Sequence, residues 1–534
     1  MDPESEEGNV EYKLCLLKKE DQRVENLATQ MRYRCDEGYG ECIYNIGVTD
    51  DGEMVGITDA EYEETMVNMK KMSDMNNYTI TLLSSTPADD DKKVYEVLVR
   101  EHNEKSYIDL KVAVIGGVDA GKSSTLSVLT IGKEDNGRGS ARAAIFNFEH
   151  ELKSGRTSSI AHHILGYDRN GDIVNYKDYG KKSWPEIVAS SSKIVSLLDM
   201  AGHEKYLKTT ILGLASSVPD MAMLIVAGNK GIQKMTKEHI FLCLALKIPF
   251  FIVVTKIDMC EKRGNVLQET NDQINSILKS TGVRKIPLRV KSEEDLILSA
   301  KNIYSDSVVP VFYISNTSKL GYEYLTKFFN ISGKRFSVTA DSKSVEYHID
   351  SFFNVRGVGQ VLGGHLISGT VRVGDKLLVG PINNKYEQIQ IKGIHCKRVP
   401  LTEVTSGCYV CFAFKKAEKS GIRKGNVIIS QDRESICCHE FRANILVLKS
   451  HSTTIRVGYE PVVHACALRQ SASLQEIISK ENARTGMKDD DVSVLRTGDR
   501  AVTRFKFKHR GEYLKTGSRI LLCEGRTKVV GTVL

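Results

Sequence analysis

The sequence predicts an α/β domain on a doubly wound, mostly parallel sheet, with a small α+β module before it and two all-β regions after it. Three observations carry that prediction. Val112-Ala113-Val114-Ile115 is a β-branched apolar run, a glycine-rich loop follows at once, and Leu126, Val128 and Leu129 then recur at helical spacing; that is strand, loop, helix. Three later apolar runs, Ile194 to Leu198, Phe250 to Val254 and Val311 to Ile314, each end in a polar cluster, as parallel strands do when their carboxyl ends face a ligand. From Val345 the chain changes to short alternating segments punctuated by glycine, the pattern of antiparallel strands.

In chain order, residues 1–10 are expected to be a disordered tail and residues 11–107 the small α+β module. Tyr12 to Leu17 reads as a strand, and Val24, Leu27 and Met31 line one face of a helix over Asp21 to Arg34. Cys42 to Ile57 reads as a hairpin around Asp50-Asp51-Gly52. Thr58-x-x-Glu61 is a capping box, and Tyr62, Met66 and Met69 share a face of the helix it opens. Tyr78 to Leu83 and Val94 to Arg100 read as two strands separated by Pro87 and the acid run Asp89-Asp90-Asp91. The module shows no catalytic pattern.

Residues 108–335 form the α/β domain. Its loop, Gly116-Gly117-Val118-Asp119-Ala120-Gly121-Lys122-Ser123-Ser124, has the spacing Gly-x-x-x-x-Gly-Lys-Ser. Gly116 and Gly121 let the backbone fold tightly so that its N–H groups point at phosphate oxygens. The helix N-terminus adds partial positive charge. Lys122 can reach the β- and γ-phosphates, and the Ser123 hydroxyl can ligate Mg²⁺. Asp199, which closes Ile194–Leu198, can hold Mg²⁺ through water, and the Gly202 N–H can meet a γ-phosphate. Thr255-Lys256-Ile257-Asp258 closes the next run. A carboxylate there accepts from both the ring N–H and the exocyclic amine of guanine, which adenine cannot match. Ser315-Asn316-Thr317 closes the last run and is placed to offer N–H groups to the guanine carbonyl. Together these point to GTP or GDP as ligand. Between the loop and Ile194 lies a long polar stretch, Lys133 to Lys193, too long for a plain connection and so functional or mobile.

The order of these motifs is that of a GTPase. Gly202-His203-Glu204-Lys205-Tyr206-Leu207 resembles the translational GTPases, which carry a His after the switch glycine. Asp135-Asn136-Gly137-Arg138-Gly139, Ser154-Gly155-Arg156-Thr157-Ser158-Ser159 and Thr255-Lys256-Ile257-Asp258-Met259 narrow the resemblance to the GTP-binding protein 1 and 2 family, relatives of elongation factors 1-alpha and Tu. It covers nearly the whole chain, from about Glu11 to Val533. It implies GTP hydrolysis with His203 positioning the attacking water, and Mg²⁺ held by Ser123, Asp199 and a switch hydroxyl. Counted from Arg156, that hydroxyl is Ser159, with Thr157 the alternative. A bulky gate residue of elongation factors is Ser158 here, which puts an apolar gate in doubt. The resemblance also implies that residues 340–436 and 437–534 are two β-barrels.

Composition bounds the partners. No apolar run reaches the ~18 residues of a membrane span, and the acidic start lacks a signal-peptide core, so a cytosolic protein is expected. Residues 1–106 hold 12 Lys+Arg against 25 Asp+Glu, whereas residues 341–534 hold 31 against 19. The basic end argues for RNA. Along Val502 to Lys508, Phe505 and Phe507 share one strand face and should enter a core; Arg504, Lys506 and Lys508 share the other, with no acid before Glu512. They are the expected RNA contacts. The family implies a monomer that binds aminoacyl-tRNA and acts on ribosomes, in elongation or in rescue. The competing reading is a nucleotide-controlled adaptor in mRNA decay or signalling. Cys408-x-x-Cys411 lies on an alternating run, which turns the two thiols to opposite faces and disfavours a metal hook.

Overall fold

The computed structural model describes the chain apart from residues 1–2, 5–7, 18–20, 90, 102–106, 146–150, 152–156, 158–159, 177–181, 262–264, 281–282, 306, 336–343, 416–420, 449–453, 483–492 and 525. Its first unit holds strands β1 (Val10–Lys13), β2 (Glu41–Ile46), β3 (Tyr78–Asp89) and β4 (Lys92–Glu101), with helices α1 (Asp21–Glu37) and α2 (Asp59–Asn76). The sheet runs β1-β2-β4-β3. Both helices cover one face: Val24 and Met31 of α1, Met69 and Met72 of α2, and Tyr44 and Val97 of the sheet share one core. The Thr58–Glu61 capping box is present. The hairpin expected over Cys42 to Ile57 is reduced to a tight turn around Asp50-Asp51-Gly52: the Gly56 N–H donates to the Gly47 carbonyl at 2.8 Å, the Thr49 N–H donates to the Glu53 carbonyl at 3.0 Å, and Val48 bridges Met54. β2 is not one of its arms, because both edges of β2 are already taken, by β1 in parallel and β4 antiparallel. Within the tail, Glu4 pairs with Arg34 at 3.1 Å.

The α/β domain orders its strands β10-β11-β9-β8-β5-β7-β6. They are β5 (Ile108–Gly116), β6 (Ala161–Tyr167), β7 (Lys193–Asp199), β8 (Met221–Ala227), β9 (Phe250–Thr255), β10 (Ile286–Arg289) and β11 (Val308–Tyr313). All pair in parallel except β6, which runs antiparallel on the edge beside β7. β8 is buried along its whole length, as a strand covered on both faces must be. The stretch Lys133 to Lys193 is therefore not one long loop, since it contains β6. The helices that position the site are α3 (Lys122–Ile131), α4 (Leu207–Ser217), α5 (Lys234–Ala245) and α6 (Tyr322–Ile331). Phe328 and Phe329 of α6 close one core against Phe251.

A fully buried lysine fastens the first unit to this domain. Lys193, at the start of β7, meets the Glu41 carboxylate at 3.0 Å and donates to the carbonyls of Asn330 and Ser332 at 2.7 Å each. Arg100 meets Glu41 at 2.6 Å and donates to the Asn330 carbonyl. Burial pushes the Lys193 ammonium down to about 8, against the attraction of Glu41. Such a charge survives in the interior only because every contact around it is satisfied.

Two barrels follow. The first is a ring in the order β14-β17-β12-β13-β16-β15 and back to β14, made of β12 (Glu346–Val355), β13 (Gly359–Ser368), β14 (Lys376–Ile382), β15 (Lys385–Cys396), β16 (Tyr409–Lys415) and β17 (Val427–Ile429). The second closes as β18-β21-β20-β19-β22-β23, made of β18 (Glu440–Val447), β19 (Val462–Ala465), β20 (Leu468–Asn482), β21 (Asp499–Phe507), β22 (Arg519–Glu524) and β23 (Arg526–Val533). Helix α4 packs on β19, and the apolar cluster around Leu207, Ile211 and Leu214 runs on into Leu521 and Cys523 of β22. The first barrel grips the start of β5 through Lys397 and Asp109 at 2.6 Å.

Glu346 joins the barrels, meeting Lys515 at 2.5 Å, Arg433 at 2.7 Å and His348 at 2.8 Å. Burial alone would raise its carboxyl; the hydrogen bonds and charges of His348 and Lys515 reverse that and hold it down to about 2. A depressed carboxyl stabilises the fold above its unfolded pKa and loses that contribution as pH falls through the folded one. Glu346 should thus contribute on the order of 3 kcal/mol at neutral pH, lost between about pH 5 and pH 2. Denaturant melts of the parent and of Glu346→Gln across that range should converge at the acid end; a constant gap would show that Glu346 is not the titrating group.

A candidate nucleotide site at the carboxyl edge of the sheet

β5 ends at Gly116 and α3 begins at Lys122, so the loop between them is held by a strand behind and a helix in front. Lys122 folds over its own loop and donates to the carbonyls of Gly116 and Gly117 at 3.2 and 2.9 Å. Burial lowers its pKa, with Asp199 and Asp119 opposing. A single cavity edge is formed by Val118, Asp119, Gly121, Lys122, Ser123 and Ser124 with Thr157, Gly202 and His203. Gly202 lies so close that a Cβ there would stand 2.2 Å from Lys122 Nζ and 2.6 Å from the Gly116 carbonyl oxygen. Only glycine lets this backbone approach the phosphate loop.

Three oxygens converge beside Lys122. The Ser123 and Thr157 hydroxyls donate to Asp199 Oδ2 at 2.9 and 3.2 Å and lie 3.0 Å from each other. Asp199 Oδ1 is buried without a hydrogen-bond partner, a costly state for a carboxylate. Burial pushes Asp199 up to about 6, with Lys122 and the two hydroxyls opposing. An oxygen-only donor set with an orphaned carboxylate oxygen fits Mg²⁺. Thr157, the alternative switch hydroxyl, stands at this point; Ser159, Ser158 and Arg156 lie outside the described residues.

His203 is half-buried and opens the turn before α4. Its Nδ1 accepts the Lys205 backbone N–H at 3.1 Å. The neutral ring then carries its proton on Nε2 and presents a donor there.

The other two polar clusters meet at the far side of the loop. The Thr255 hydroxyl donates to the Ala120 carbonyl at 2.6 Å, and Lys256 Nζ donates to the Asp119 carbonyl at 2.8 Å. Ser315 donates its hydroxyl to Asp258 Oδ1 at 2.8 Å, and the Thr317 N–H donates to Ser315 Oγ at 3.3 Å. The Asn316 carboxamide turns inward and accepts from Tyr322 at 2.8 Å and Thr125 at 3.2 Å. It supports the loop from behind, leaving only its backbone for a ligand. Arg142, in the short helix Ser140–Ala143, also lines the cavity; sequence reasoning missed it, because no motif flags an arginine in that stretch.

Arg504 and Lys506 lie on β21 and Lys508 follows its last residue, and Phe505 and Phe507 do enter the barrel core. The expected unopposed cationic face, however, is corrected by register. Lys506 lies opposite Glu440 of β18, and Arg504 opposite Glu476 of β20. Arg504 meets Glu476 at 3.2 Å, Lys506 meets Glu440 at 3.2 Å and Lys508 meets Glu460 at 2.6 Å. Glu440 and Glu476 come from neighbouring strands and Glu460 from the loop before β19, which a scan along one strand cannot see.

Comparison with known proteins agrees with this architecture. The elongation factor Tu GTP-binding domain matches residues 109–350, elongation factor Tu domain 2 matches 359–429, and the GTP-eEF1A C-terminal domain matches 440–533. GTP-binding protein 1 of Xenopus laevis is 41% identical over 530 residues, 98% of this chain and 78% of that protein. GTP-binding protein 2 of Homo sapiens is 40% identical over 542 residues, 99% and 87% of the two chains. The translation elongation factor SelB of Methanococcus maripaludis, in complex with the GTP analogue GppNHp, superposes with a TM-score of 0.55 at 18% identity, over 81% of this chain and 80% of that one; that likeness is one of fold. No helix among the described residues is long and apolar enough to cross a membrane. With full-length identity of this order and an elongation-factor GTPase domain around the site, the chain belongs to the GTP-binding protein 1 and 2 family, GTPases that bind GTP and GDP with Mg²⁺.

Proposed function

We propose that this GTPase binds aminoacyl-tRNA in its GTP form and acts on ribosomes in the cytosol, in elongation or in rescue and quality control. The observation that supports this reading is the seat of α4 on the second barrel. The helix begins four residues after His203, so a change at the γ-phosphate is mechanically joined to the surface that a partner would grip. Nucleotide state then sets partner affinity through ordering of the switch segments.

Each side chain has its part in the reaction. Asp258 accepts from guanine, and Thr255 ties the base loop to the phosphate loop. Lys122 leaves its two carbonyls for the β- and γ-phosphate oxygens. The Gly202 N–H meets the γ-phosphate, and Nε2–H of His203 orients the attacking water. Ser123, Thr157 and Asp199 would hold Mg²⁺, which when bound supplies positive charge at the phosphates.

On the second barrel, Arg504, Lys506 and Lys508 remain the tRNA contacts we favour, although each is paired. Their side chains stay 43, 56 and 39% exposed, and exposed pairs are worth at most ~1 kcal/mol, so a phosphate can displace the carboxylate. Replacing Lys506 and Lys508 with Ala should weaken all aminoacyl-tRNAs about equally and reduce the salt slope by about one per lost contact. Filter binding over a salt series, with the GTP and GDP forms side by side, is the test. Parental affinity and slope in the double variant would move the tRNA site elsewhere. GTP turnover indifferent to both ribosomes and aminoacyl-tRNA would replace tRNA delivery with a nucleotide-controlled adaptor, in mRNA decay or signalling.

A further inference from the structure

Arg142 has no part in the roles assigned above, yet it lines the phosphate cavity together with Lys122, Thr157, Gly202 and His203. Thr157, Gly202 and His203 mark the end of the cavity where a γ-phosphate lies. We infer that Arg142 contacts the β- and γ-phosphates and stabilises the charge that develops during hydrolysis, as an arginine built into the chain rather than supplied by a partner.

The segment carrying Arg142 is made to hold it there. Asp135 Oδ1 accepts from the Ala141 N–H at 2.9 Å and from the Ser140 hydroxyl at 3.3 Å, and its Oδ2 accepts from the Gly139 N–H at 3.3 Å. The Asp135 N–H in turn donates to the Asn316 carbonyl at 2.8 Å, on the loop that faces the base. The arginine's segment is thus tied to the loop that faces the base, and from there Arg142 reaches the phosphate cavity. Gly139 sits at φ +87°, and a Cβ there would stand 2.5 Å from Arg142 Nε. The guanidinium stem crosses this turn, so a side chain at position 139 would be strained by the positive φ and would push Arg142 aside.

The chemistry needs such a group. As the water oxygen bonds to the γ-phosphorus, the bond to the β–γ bridging oxygen breaks and its electron pair passes to the β-phosphate of GDP. Both protons of the water end on the released phosphate, as dihydrogen phosphate. Lys122 is one fixed cation beside that oxygen, and His203 is a neutral donor. A guanidinium adds a second fixed charge with a planar fork that fits two phosphate oxygens.

This assignment rests on the GTPase reading of the site, and unstimulated single-turnover hydrolysis at saturating GTP, with GTP and GDP affinities measured alongside, separates the two. Arg142→Ala should slow turnover ~10²-fold, less than the 10³–10⁵ of an arginine finger, because Arg142 stays half-exposed. GDP affinity and the preference for guanine should hold. Arg142→Lys should recover part of the rate, since it keeps the charge and loses the fork. Gly139→Ala should slow turnover in the same direction without lowering guanine preference. Arg142→Ala turning over at the parental rate would overturn the assignment. Arg142→Lys no faster than Arg142→Ala, with both losing GDP affinity equally, would reduce Arg142 to a structural residue and overturn it as well. Failure of the parent protein to bind GTP would instead overturn the GTPase reading itself.

Discussion

Replacing His203 with alanine should leave GTP affinity nearly intact and slow ribosome-stimulated hydrolysis by ~10²–10⁴, the range for a positioned proton-handling group. The ring makes one local hydrogen bond, from the Lys205 N–H, so its loss strands no buried partner and should not disturb the phosphate loop. What it removes is the Nε2 donor of a residue that lines the cavity. Because Nδ1 already accepts a backbone proton, the neutral ring suits orientation of the water better than abstraction of its proton. His203→Gln, which keeps a side-chain donor, should therefore retain more activity than His203→Ala. Single-turnover rates on ribosomes decide the matter; an alanine variant at the parental rate would take His203 out of the mechanism.

Asp258→Asn should weaken GTP binding by roughly 10²–10⁴-fold and favour xanthosine triphosphate. Two hydrogen bonds to a charged acceptor are at stake, worth about 1.5–3 kcal/mol each. The amide puts a donor where the guanine edge also donates, whereas the xanthine edge reverses that pattern. The loop should survive the change, because Ser315, which donates to Asp258 Oδ1, can reorient its hydroxyl. Competition between the two nucleotides measures the switch directly. An unchanged preference for GTP would mean that Asp258 does not touch the base. The Thr255 hydroxyl, already bonded to the Ala120 carbonyl, should keep the loops joined in either case.

The motifs were legible because each is local. A β-branched run, a glycine loop and a helix start within a few residues of one another, and the loop chemistry follows from the residues in it. The clusters Asp199 to Gly202, Thr255 to Asp258 and Ser315 to Thr317 each sit where a strand stops. Strands without such an ending were harder to see. β8 is as apolar as its neighbours, and β6 carries His162 and His163 near its start; neither ends in a recognisable cluster. The hairpin expected after Cys42 had the right local signals. Only its turn over Gly47 to Gly56 formed, because the edges of β2 belong to β1 and β4, from elsewhere in the chain.

The same division runs through the site and its surroundings. Residue order alone pointed to the guanine nucleotide, the phosphate loop, Asp199 and His203, because backbone geometry near a strand end or helix start places adjacent residues within a few ångströms. Tertiary structure decided the rest. It put Thr157 on Asp199, brought Arg142 to the edge of the cavity, and buried Lys193 against Glu41. It also set Glu440 and Glu476 beside Lys506 and Arg504. Those contacts join residues dozens to more than a hundred positions apart, and strand register and helix packing, which depend on the whole core, select each partner.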